Sequence, residues 1–97
     1  MLECDGINKI FALFQQTEDE YKKNQAAVCI GRLFKSREIE NRQMRSEIIA
    51  HLKTMINDPD EWNKNQSRFS LKFLAQNAVN RAEIEADGFV IPEQNAD

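Results

Sequence analysis

Residues 19–25 read DEYKKNQ and residues 60–66 read DEWNKNQ. Five of the seven positions are identical, a sixth is aromatic in both, and the offset is 41 residues. The offset extends beyond this core. Ile7 falls on Ile48, Phe11 on Leu52, Phe14 on Met55, Ile30 on Leu71 and Leu33 on Leu74. Asp87-Gly88-Phe89 repeats Asp5-Gly6-Ile7 two periods on. The apolar residues recur at spacings of three and four, the period of a helix face. A helical chain that repeats itself about every 40 residues predicts an all-α fold of the α-solenoid class. Each unit of such a chain buries its apolar face only on its neighbours.

The helical expectations follow in order. Ile7, Ile10, Phe11, Leu13 and Phe14 mark a helix over 6–15, with Asp5 placed to cap it. Thr17 and Glu20 have the spacing of a capping box and open a second helix running to about residue 35. In that helix Ala26, Ala27 and Gly31 are small enough for a neighbouring helix to approach closely. Glu38 to Met44 reads as a short amphipathic turn or helix. Ile48, Ile49, Leu52, Met55 and Ile56 form the next stripe. Asp58 then caps, and Pro59 occupies the first position of a helix to about Gln76. These two helices, 18–35 and 59–76, are expected to be the longest and to lie parallel. Their Leu33 and Leu71 are expected in the core. A short helix over 78–86 ends at Gly88, which is free to take a left-handed conformation. Phe89, Val90 and Ile91 start an apolar stretch that Pro92 interrupts, and 93–97 is expected to be a disordered tail. The repeat domain therefore spans 1–92, with units near 5–46 and 47–87. No strand is expected.

Composition narrows the partners. A net charge of −3 disfavours nucleic-acid backbones and anionic membranes. No apolar run approaches the ~20 residues of a membrane span. The start, MLECDGINKI, lacks the basic and apolar regions of a secretory signal. Cys4 and Cys29 have no framework spacing and are expected as inert buried thiols in a reducing compartment, cytoplasmic or nuclear.

Sites of chemistry are not apparent. His51 is the only histidine and has no Cys or carboxylate at metal-ligand spacing. Asp58-Pro59-Asp60 opens like a calcium loop, but Trp62, Asn63 and Phe69 occupy its fifth, sixth and twelfth positions. Those positions need an oxygen ligand, a glycine and a glutamate. No nucleophile, acid and base can be assembled, so neither an enzyme nor a cofactor or metal site is expected. Tyr21 and Trp62 recur at the repeat period, which favours packing across the turn onto the preceding helix over partner binding.

The order of these segments resembles the armadillo repeat, with the related HEAT repeat as the alternative. Asn80-Arg81-Ala82-Glu83-Ile84-Glu85-Ala86-Asp87-Gly88-Phe89 is similar to the family's short first helix, NRxxIxxxGGI, and Asn41-Arg42-Gln43-Met44 matches it more loosely. Residues 6–15 and 47–56 resemble its second helix. Gln25–Phe34 and Gln66–Ala75 resemble its third, NAxxALxNLA, which follows an acidic DE turn. The resemblance covers residues 2–92. It implies a right-handed superhelix whose third helices line a concave groove for an extended segment of another protein. By position the groove residues would be Gln25, Val28, Arg32 and Lys35, then Gln66, Phe69, Phe73 and Gln76. Family members that act as nuclear-import receptors carry Trp and Asn at the middle two positions, where this chain has Val28 and Arg32, then Phe69 and Phe73. The resemblance therefore does not extend to the binding of basic import signals. A second role consistent with the same residues is assembly, with open ends of the solenoid meeting in self-association.

Overall fold

The computed structural model describes residues 2–91, with side chains from Ile7 onward. All regular structure among them is helical: α1 (Leu2–Gln16), α2 (Glu20–Leu33), α3 (Arg42–Met55), α4 (Glu61–Leu74) and α5 (Ala78–Glu85). No strand occurs among the described residues. The expected tail, 93–97, lies outside them.

The 41-residue repeat sets the local chemistry at two helix starts. Asp19 caps α2 by accepting from the Tyr21 N–H at 2.9 Å, and Asp60 caps α4 by accepting from the Trp62 N–H at 2.9 Å. One step earlier, Thr17 Oγ1 accepts from the Asp19 N–H at 3.1 Å, and Asp58 Oδ1 from the Asp60 N–H at 2.8 Å. Thr17 and Asp58 are therefore not the caps expected of them. Each unit offers two capping residues, and only the later one reaches the orphan N–H of the second helical residue. Asp5 is no cap either, because α1 begins at Leu2.

α1, with 15 residues, exceeds the 14 of α2, α3 and α4, so the expected pair of longest helices is not found. The separate turn expected over Glu38–Met44 is also absent. Residues 38–41 are irregular, Asn41 accepts from the Met44 N–H at 3.0 Å, and α3 runs unbroken from Arg42. With Asn41 available as a cap and no Pro or Gly up to Met55, nothing divides this helix.

α2 and α4 lie side by side and parallel, as the offset predicts. Their contacts advance together: Tyr21 and Asn24 share a cleft with Trp62 and Asn63, Gly31 meets Ser70, and the Ser36 N–H donates to the Phe73 carbonyl at 3.1 Å. Gly31 is what permits the approach, since a Cβ there would lie 2.7 Å from Ser70 Cβ. α1 packs on α2, α2 on α3 and α4, and α5 on α3 and α4.

The core between them is aliphatic. Ile30, Ile39, Ile48, Ile49, Leu52, Leu71, Leu74 and Ile84 are fully buried. Each such side chain gains about 1.5–3 kcal/mol by leaving water. Leu71 is in the core as expected, but Leu33 is 41% exposed. Its counterpart Leu74 is followed after three residues by α5, whereas the irregular residues 34–41 separate Leu33 from α3. Phe89 and Ile91 are partly buried against the core, and Val90 is exposed. Of the apolar stretch that Pro92 interrupts, Val90 alone stands largely in water. Gly88 takes the expected positive φ, at 83°. Lys53 Nζ ties the end of α3 to this turn through Asp87 at 3.1 Å, holding the Asp87 carboxyl below the usual carboxylate range.

Candidate partner-binding face

The connection after α2 is held by side chains from one repeat further on. Ser36 sits at φ 62°, a conformation that costs a non-glycine residue about 1–2 kcal/mol. Its N–H is satisfied by Phe73, and its hydroxyl meets Gln76 Oε1. Asn80, fully buried on α5, completes the hold. Its Oδ1 accepts from the Ile39 N–H at 3.1 Å, and its Nδ2 donates to the Arg37 carbonyl at 2.6 Å. Arg45 Nη1 adds a bond to the Ile39 carbonyl at 2.8 Å. Sequence reasoning read Asn80 only as part of a first-helix signature. Its spacing of four from Ile84 places it on the apolar face of α5, and that was the available signal.

With the connection fixed, the outer face of α2 and α4 is ordered. Arg32 Nη2 donates to Gln66 Oε1 across the two helices. Lys35 Nζ lies 5.0 Å from the centre of the Phe73 ring. Gln25 Nε2 donates to the Tyr21 hydroxyl at 2.8 Å. Phe69 is 39% exposed beside the Arg68 guanidinium. Seven of the eight expected groove residues therefore keep solvent access: Gln25, Arg32, Lys35, Phe69 and Gln76 are exposed, and Gln66 and Phe73 half-buried. Val28 does not. It is buried at 6%, and its carbonyl accepts from Ser70 Oγ at 3.4 Å. Small residues on α2 draw α4 in, and Val28 goes under the contact.

Next to this face is an open cleft of about 580 Å³, floored by Phe69, Phe73 and Ala75 and rimmed by Lys72, Gln76 and Arg81. Amides, cations and two aromatic rings in one strip can pair with backbone groups of an extended chain and seat an apolar side chain. A second cleft, about 520 Å³, separates Tyr21 from Trp62 at the other end of the helix pair. Both aromatics are largely exposed, at 63% and 45%, and do not pack away against the preceding helix as expected.

The remaining candidates are structural. His51 is half-buried. Its Nε2 bonds Asn24 Oδ1 at 2.7 Å, and its ring meets Phe14 edge-on. Burial pushes its pKa below 6.5, outweighing the pull of Glu20, and Lys23 pushes the same way. Cys29 is exposed, contrary to the expectation of a buried thiol, because Gly31, Ala27 and Val28 occupy the contact faces of α2. The side chain of Cys4 lies outside the described residues. Among the described residues, no three His, Cys, Asp or Glu group together at metal-binding range, and no helix is long and apolar enough to cross a membrane.

Compared with known proteins, the chain matches no family model, no curated protein and no solved structure.

Proposed function

We propose that this chain is a protein-interaction module of the armadillo type, and that it binds an extended segment of a partner along the outer face of α2 and α4. The observation that carries this reading is the parallel, closely spaced helix pair. Its repeat-equivalent residues leave a strip of amides, cations and two phenylalanines open to solvent. Extended chains leave backbone donors and acceptors unpaired, and side-chain amides such as Gln66 and Gln76 are suited to them. On this reading the chain acts by binding and not by catalysis. Selection from a peptide library displayed on phage tests it. Selected peptides should converge on one consensus and lose binding to the Phe69→Ser and Arg32→Glu variants. A selection with no consensus, or binders indifferent to both substitutions, overturns it.

One observation favours assembly as the second reading. The outer face of α5 exposes Ala78, Val79, Ala82 and Ala86 together. Val79→Asp should then abolish any concentration-dependent rise in sedimentation coefficient. A coefficient independent of concentration in the unsubstituted chain removes self-association from consideration.

A further inference from the structure

Charge is unevenly distributed along this chain. It carries 16 Asp and Glu against 13 Lys and Arg, yet no carboxylate occurs from Tyr21 to Arg37. That stretch holds Lys22, Lys23, Arg32, Lys35 and Arg37. None occurs from Trp62 to Ala82 either, a stretch that holds Lys64, Arg68, Lys72 and Arg81. Nine of the 13 cations thus fall in two acid-free stretches, and the fold lays those stretches beside each other as α2 and α4. The carboxylates of these two helices are confined to their first turns, at Glu20 and Glu61.

Several of these cations are engaged elsewhere. Lys23 covers Phe14, Arg37 covers Phe34, and Lys64 lies near Glu61. Arg32 and Lys35 are exposed, and their partners are neutral: the Gln66 amide and the Phe73 ring. Their charge is fully presented. Arg81 on the cleft rim has Glu85 at 3.3 Å, and that carboxylate also lines the cleft, so the unopposed charge lies at Arg32 and Lys35. Cations in a last helical turn offset the helix dipole, which accounts for Arg32 and Lys72. Lys35 follows the C-cap of α2 and shares that end, whereas Arg81 lies in the first half of α5, away from any helix C-terminus that this effect reaches. The face therefore carries a positive field on a chain whose net charge is −3.

The geometry points to an acidic, extended protein segment as the occupant of this face. Its carboxylates would lie over Arg32 and Lys35, and one bulky apolar side chain would sit on Phe69 and Phe73 in the adjoining cleft. This inference rests on the binding role proposed above and adds the chemistry of the partner.

Fluorescence anisotropy tests it with labelled probes. One peptide alternates Asp and Glu around a central Leu, a second replaces the acids with Asn and Gln, and a third with Lys. A single-stranded oligothymidylate is the fourth probe. The acidic peptide should bind at least about tenfold more tightly than the neutral one. That preference should vanish in about 1 M salt, where charges are screened within ~3 Å. Arg32→Glu with Lys35→Glu should remove the preference, while Phe69→Ser should weaken the acidic and neutral peptides alike. Helix content of each variant, read by circular dichroism, should be unchanged. Equal or tighter binding of the neutral or lysine peptide overturns the inference. If that binding still depends on Phe69, the binding role survives. Tighter binding of the oligonucleotide overturns the inference in favour of a polyanion site. No binding by any probe overturns it as well, and a failed phage selection then removes the binding role too.

Discussion

Replacing Asn80 by Ala should be far more damaging than its size suggests. Its side chain is fully buried and makes two bonds to the connection after α2. The Ile39 N–H would be left in a fully buried residue with no acceptor, at a cost of about 1–3 kcal/mol. Arg37 is exposed, so water can reach its carbonyl, and only the net worth of one bond is lost there. Together these give about 2–4 kcal/mol, a large part of the ~5–15 kcal/mol of an ordinary domain. At ~4–8 °C per kcal/mol the melting temperature should fall by about 8–30 °C. Asn41 is the control, because it opens the matching Asn-Arg pair. It is exposed, and its oxygen caps α3 through the Met44 N–H. Asn41→Ala should cost only ~1 kcal/mol. Asn80→Asp keeps the acceptor for Ile39 but turns a carboxylate towards a carbonyl oxygen, and should be at least as harmful as Ala. Urea unfolding followed by far-ultraviolet circular dichroism measures all three. If Asn80→Ala costs no more than Asn41→Ala, the connection is not held in the way described.

Gly31→Val should destabilise by ~1–3 kcal/mol, because its side chain must push α4 away at Ser70. Gly31→Ala should cost less, since better helix propensity returns ~1 kcal/mol; a stabilised Gly31→Val would refute the close approach. Leu71→Ala should cost ~2–5 kcal/mol and Leu33→Ala under ~1, reflecting full burial against 41% exposure; equal losses in thermal melts would refute the assigned rotation of α2. Burial lowers the His51 pKa in the fold, so the unfolded chain binds its proton more readily. Stability should therefore be intact above pH 6.5 and fall as pH drops from there through the lower folded pKa. His51→Gln should flatten urea midpoints between about pH 7.5 and 5.5, and an unchanged slope would assign it to other groups. Asp87, whose pKa is also lowered, adds stability that is present above its ordinary 3.8 and lost only as pH falls below it, so it does not enter that window.

The repeat was the most readable feature, because backbone geometry copies local chemistry. Asp19 and Asp60 make the same bond to the following aromatic, and α2 and α4 begin and end at equivalent positions. Burial follows the repeat where both units have the same neighbours, as at Ile30 and Leu71 or Phe14 and Met55. It fails at Leu33 and Leu74, whose neighbours differ. The binding face was legible as positions but not as contacts. Only the close approach at Gly31 decides that Val28 is covered, and only packing across the repeat turns Gln66 and Phe73 into partners for Arg32 and Lys35. Asn80 was hidden for the same reason, since the donor and the acceptor it pairs with lie 41 and 43 residues away.

The connection after α2 also decides how the molecule comes apart. The amides of Ser36 and Ile39 belong to the first unit, but their acceptors are Phe73 and Asn80 in the second. Neither amide can exchange its hydrogen with solvent while α4 and α5 stay docked. In deuterated water both should exchange at the slow rate of the global core, although each sits in a non-helical loop. Two units so alike in sequence would then open as one, and a cut between α3 and α4 would leave neither half with its hydrogen bonds satisfied.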